Sequence, residues 1–141
     1  MKKILLIATF VFIAISCDKN QNTVKKLDGT WKATKFASTD STGVTIDLIG
    51  FVDISYQFDG CKLKNDEYCN MTTTTTTNLF GVSTTTTELD SFRVIDDGST
   101  LEVKTGSSSI TMTILELTNK SLKVKQVENN TIVNIEATKT N

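Results

Sequence analysis

Met71 to Leu89 reads "MTTTTTTNLFGVSTTTTEL", ten threonines in two blocks around Asn78 to Ser83. Whether these blocks form a disordered spacer or two paired strands decides where the folded domain lies. Threonine is β-branched and stiff at χ1, and neither block contains the proline or glycine of a flexible linker or mucin-like stalk. The stretch therefore predicts an antiparallel hairpin: Thr72 to Thr77 runs up, Asn78 and Gly81 turn the chain, and Thr84 to Leu89 returns. Hydroxyls fall on both faces, so a slip of one residue exchanges one threonine face for another, and register is weakly specified. Such a hairpin belongs at the rim of a sheet structure.

Outward from the hairpin, apolar residues recur with period two. "VDISYQF" puts Val52, Ile54, Tyr56 and Phe58 on one side and Asp53, Ser55 and Gln57 on the other, a strand with one dry face. Downstream the same alternation turns Leu101 and Val103, then Ile110, Met112 and Ile114, then Leu122 and Val124, then Val133, Ile135 and Ala137 inward. Asp59-Gly60, Asp97-Gly98, Asn119-Lys120 and Asn129-Asn130 supply turns between these runs. The chain has no proline, as suits strands that all need their amide donors. The pattern is an all-β, up-and-down antiparallel meander, each run long enough to cross a small barrel once.

The N-terminus carries an address. Lys2 and Lys3 precede an apolar run from Ile4 to Ile15, too short for the roughly 20 residues of a spanning helix, and Ser16 stands before Cys17. Residues 1–16 read as a secretion signal, and Ala14-Ile15-Ser16-Cys17 resembles a bacterial lipobox with Cys17 as the lipidated first mature residue. Residues 17–26, polar and without apolar period, are expected to be a tether, and 27–141 the domain. Of 15 basic residues the signal holds two, so 13 face 16 acidic ones in the mature chain. That balance offers nothing to nucleic acid, and no lysine block supports binding to an anionic membrane surface beyond the acyl chains.

Export places Cys61 and Cys69 where disulfides persist, and their number and spacing predict a pair, with Asn65 and Asp66 turning the segment between them. The alternative is two free buried thiols. The spacing of Cys61 and Cys69 excludes a CxxC redox site, and with no histidine and no third free cysteine a zinc site is not expected.

The ends of the domain resemble a known family. "LDGTWKATKF" (27–36) is similar to the opening strand of the lipocalin-like lipoproteins of Bacteroidetes, with leucine, any residue, glycine, any residue, tryptophan. "SYQFDG", "SFRVIDDGSTLEVKT" and "ITMTILELTNKSLKVKQ" resemble its later strands and turns. The resemblance covers most of residues 27 to 139 and implies a small barrel of about eight strands. It departs in lacking an arginine near the last strand to cover the tryptophan; Arg93, the one arginine, lies mid-chain, and Lys139 stands in that place without a guanidinium's planarity. Gly29 and Trp31 are expected to plug one end of the barrel.

Catalytic constellations are missing. The absence of histidine excludes a histidine-based triad, no glycine-rich phosphate loop follows a strand, and the acidic pairs Asp66-Glu67 and Asp96-Asp97 sit at solvated turns. The chain reads as a non-enzyme with no cofactor and no metal. Two functional readings follow. In one, the barrel holds a small hydrophobic ligand among Tyr56, Phe58, Phe92, Met112 and Ile114. In the other, side chains fill the interior and the domain is a protein or glycan interaction module. The resemblance implies the bacterial cell envelope and an outer-membrane lipoprotein; the segment after Cys17 lacks the acidic cluster that resembles surface-export signals of that phylum, so facing the periplasm is preferred over surface exposure.

Overall fold

The structure is a computed structural model that describes residues 18–63 and 67–140. The signal segment, Cys17, and Asn65 and Asp66 of the expected turn lie outside the described residues. Nine strands form one antiparallel sheet: β1 (Gly29–Thr39), β2 (Thr45–Asp47), β3 (Val52–Phe58), β4 (Cys69–Leu79), β5 (Val82–Ile95), β6 (Thr100–Thr105), β7 (Ser108–Leu117), β8 (Ser121–Glu128) and β9 (Thr131–Thr140). Neighbours in sequence pair throughout, apart from the short β2, which lies along the far half of β1. Pairing of β1 with β9 closes eight of the strands into a barrel.

The alternation that suggests strands also sets the core. Trp31, Phe58, Met71, Phe92, Leu101, Val103, Met112, Leu122 and Val124 are all buried in one cluster. Two bulges re-phase the alternation, one between Ala33 and Lys35 in β1, the other between Ile114 and Glu116 in β7, where it turns Leu115 out to solvent.

Two expectations are revised. Residues 18–26 do not form a polar tether: Lys19–Leu27 is a helix, α1, with Val24 and Leu27 fully buried. Asp18 caps it by accepting from Gln21 N at 3.0 Å, and Lys25 and Lys26 occupy its last turn, where the helix dipole favours cations. Only two apolar residues three apart face inward, too few to register as a helical period.

The threonine hairpin is ordered but longer than expected. Thr72 to Thr77 lies opposite Leu89 to Thr84 inside a ladder that runs from Cys69 to the tip. The chain turns at Phe80 and Gly81, both at positive φ (51° and 80°), and Asn78 stays in the strand opposite Ser83. A two-residue turn with both φ positive matches the right-handed twist of the strands it joins.

Candidate functional site

Among the described residues one end of the barrel is closed by a helix, and no element lies across the other, open end. α1 lies across the closed end and is fixed there by side chains from three directions. Trp31 donates from Nε1 to Leu27 O at 2.6 Å, while Gln21 donates to Cys61 O at 2.7 Å and accepts from Leu63 N at 2.8 Å. Gly98 N donates to Asn20 Oδ1 at 2.7 Å, and a Cβ on Gly98 would stand 2.5 Å from Thr23 Oγ1, so this turn accepts only glycine against the helix.

Trp31 is wholly buried beneath the helix. Lys139 Nζ sits 5.3 Å from the centre of its ring and donates to Lys26 O at 3.1 Å, so this lysine covers the tryptophan as a point charge and ties down the C-terminal end of α1. Gly29, at φ 115°, leaves room for that lysine stem, since a Cβ there would approach Lys139 Cε to 2.8 Å.

The disulfide Cys61–Cys69 forms, with Cα atoms 5.6 Å apart. Cys61 lies in the loop after β3 and Cys69 begins β4, so the bond fastens that loop, and through Gln21 the helix, to the barrel wall. Beside it on the outer wall, Glu102 accepts from Arg93 Nε at 2.6 Å and from the Tyr68 hydroxyl at 2.8 Å. The Arg93 guanidinium also covers the Tyr68 ring at 4.9 Å. The arginine hydrogen bond holds the Glu102 carboxyl below the ordinary glutamate value, against the opposing effect of burial.

At the barrel centre is a cavity of about 30 Å³ lined by Tyr56, Phe58, Met71, Leu101, Val103, Met112, Leu122, Val124 and Ile135. Tyr56, Phe58 and Met112 of the expected ligand residues meet there. Phe92 does not line it; it lies beneath, wholly buried, with its ring edge-on to Phe58 at 5.0 Å. Ile114 packs against the core outside the lining. Met71 and Ile135 are the additions that matter. The alternation of β9 had turned Ile135 inward, and Met71 is opposite Phe58 in the ladder, a pairing visible only once strand register is known.

Burial raises the Tyr56 phenol to about 12, and no hydrogen bond joins its hydroxyl to another described residue. Beyond Tyr56 the β4 wall becomes hydroxylic: Thr73 lies opposite Tyr56, and its Oγ1 donates to Asp90 at 3.0 Å, while Thr105 donates to the same carboxylate at 2.7 Å. An apolar floor thus passes into a polar wall at the mouth. Among the described residues no cluster of His, Cys, Asp and Glu is placed to hold a metal, and no helix is long and apolar enough to cross a membrane.

No family model matches the sequence, and no curated protein does. Among solved structures, japanin from Rhipicephalus appendiculatus, bound to cholesterol, superposes with a TM-score of 0.52, covering 78% of this chain and 74% of that one at 11% identity. The fold is that of the lipocalins. A redesigned β-barrel (TM-score 0.48, 10% identity, 84% of this chain and 96% of that one) and the siderocalin Ex-FABP (TM-score 0.47, 10% identity, 82% and 74%) are also similar. At such identities the likeness is one of fold.

Proposed function

We propose that this lipocalin-type barrel binds a small amphiphile, with an apolar body on the floor formed by Phe58, Met71, Met112 and Ile135 and a polar head at Tyr56 and Thr73. The observation that carries this reading is the apolar cavity below a phenol that has no hydrogen-bond partner among the described residues, in a barrel covered at the opposite end by α1. The cavity as it stands has room for about two waters, far below the roughly 300 Å³ of a typical ligand pocket. Entry therefore requires the unbranched, rotatable side chains of Met71 and Met112 to yield, a role methionine suits. Japanin, of the same fold, holds cholesterol, which supports the ligand class by analogy alone.

The small cavity volume favours the second reading, a filled barrel serving as a protein or glycan interaction module. Neither reading involves catalysis. A lipid on Cys17, as the lipobox-like sequence supports, would place the anchor one residue before the cap of α1. The closed end would then face the outer membrane and the mouth the periplasm. The resemblance to Bacteroidetes lipoproteins supports the same envelope location.

Native mass spectrometry of protein expressed for export tests the choice. A reproducible added mass that is lost on denaturation, and is missing from Val103→Trp protein of unchanged fold, supports an occupied barrel. A bare mass, together with no binding of a fluorescent fatty acid or sterol, supports the filled barrel and excludes the first reading.

A further inference from the structure

β5 is longer than its partner. It pairs with β4 along its whole length, but β6 pairs only with Ser91 to Ile95. From Val82 to Asp90 the other side of β5 has no strand beside it among the described residues, and Val82 to Leu89 are exposed.

The direction of the free backbone groups follows from the turn. Leu79 and Val82 close a two-residue loop, so these two exchange hydrogen bonds and so does every second pair below them. Asn78 N confirms the alternation by turning the opposite way, to Phe51 O at 3.2 Å. Ser83, opposite Asn78, therefore points its N–H and C=O away from β4, as do Thr85, Thr87 and Leu89. An edge of this kind is ordinarily blunted by lysine, proline or a bulge. This one has none of them, and from Val82 to Thr87 it carries no charge.

We propose that this edge pairs antiparallel with the same edge of a second copy, across a two-fold axis at Thr85. Thr85 then faces Thr85 of the other copy, Ser83 faces Thr87, and Val82 faces Glu88, with about six backbone hydrogen bonds across the seam. No carboxylate opposes another. The register is limited on one side by β6: sliding the axis to Thr86 drives the partner's turn into Thr105, which is held beside Asp90. Threonines already face one another within the hairpin, where the Thr76 and Thr85 hydroxyls lie 3.0 Å apart at a pair that exchanges no backbone hydrogen bonds.

Cysteine cross-linking of the full chain tests the register. Thr85→Cys, at a position where paired Cα atoms lie about 5.5 Å apart, is expected to yield a disulfide-linked dimer on mild oxidation. Thr74→Cys, on the same face but one strand inward, is expected to remain monomeric. Sedimentation over rising concentration provides the second readout. Thr85→Lys is expected to weaken self-association at least tenfold with an unchanged melting curve, and mixing it with Thr85→Glu is expected to restore a heterodimer. Absence of the Thr85→Cys dimer, its cross-linking to a different protein instead, or wild-type association by Thr85→Lys overturns the proposal.

Discussion

The closed and open ends of the barrel are built on opposite plans. At the closed end chemically distinct groups meet specific partners: Trp31 under Leu27, Gln21 on the disulfide loop, Gly98 against Thr23, Arg93 on Glu102. At the open end the β4–β5 ladder repeats one residue type, with no apolar stripe to distinguish one register from another. Stability resides in the first region, and the second is left with exposed backbone and hydroxyls for contacts outside the fold. The contrast predicts that substitutions should lose effect steadily from the helix toward the hairpin tip.

Trp31→Ala should have the largest effect. It removes a wholly buried side chain that touches the helix, Lys139 and the core at once, and such truncations cost about 3–5 kcal/mol. Urea unfolding monitored by circular dichroism should show the midpoint fall without a change in slope. A loss below about 1 kcal/mol would move the centre of stability away from this end. The Cys61→Ser/Cys69→Ser protein comes next: releasing so short a loop should cost about 2–3 kcal/mol on the chain-entropy account. Because the loop carries the Gln21 contacts, hydrogen exchange in α1 should accelerate more than in β8 and β9. Uniform acceleration would separate the helix from the disulfide.

The barrel was largely legible in the sequence because a β-strand with one buried face writes its geometry as alternation. Ile54, Phe58, Leu101, Val103, Met112, Leu122 and Val124 are all buried where period two puts them. α1 was not legible, since its burial rests on Val24 and Leu27 and on polar side chains whose partners are far along the chain: Cys61, Leu63 and Gly98. β2 is three exposed residues held to β1 by backbone pairing and by the Thr45 and Asp47 side chains, which leaves no apolar alternation to read. For the cavity, alternation identified inward residues but not their depth, so Phe92 appeared equivalent to Phe58, although the first belongs to the layer beneath the floor. Glu102, between the inward Leu101 and Val103, carries no signal of burial in the sequence. Its burial depends on Tyr68 and Arg93 arriving from elsewhere.

That carboxylate ties the closed end to pH. Glu102 is held below its ordinary value of 4.5 chiefly by the Arg93 hydrogen bond, so the native state binds this proton less readily than the unfolded chain. Its contribution is complete above the ordinary value and declines as pH falls below 4.5 through the depressed one. Melting temperatures followed from about pH 6 to about pH 3 should fall in the wild type, and less steeply in Glu102→Gln. Parallel curves would assign the acid sensitivity to other carboxylates.

The smallest effect should have the opposite sign, and it lies at the far tip. Phe80 is fully exposed yet adopts φ 51°, a left-handed conformation that asparagine and glycine accept more readily than an aromatic residue. No contact with the core among the described residues offsets that choice. Phe80→Asn should therefore stabilise the protein by about 0.5–1 kcal/mol by easing the turn, with the ladder below unchanged. Local rules are broken most often where a residue serves a contact outside its own fold. A gain in thermal stability would thus mark Phe80 as a residue kept for something other than folding. A loss would show that the tip is held by interactions of its own, and that the two ends differ less than their side chains indicate.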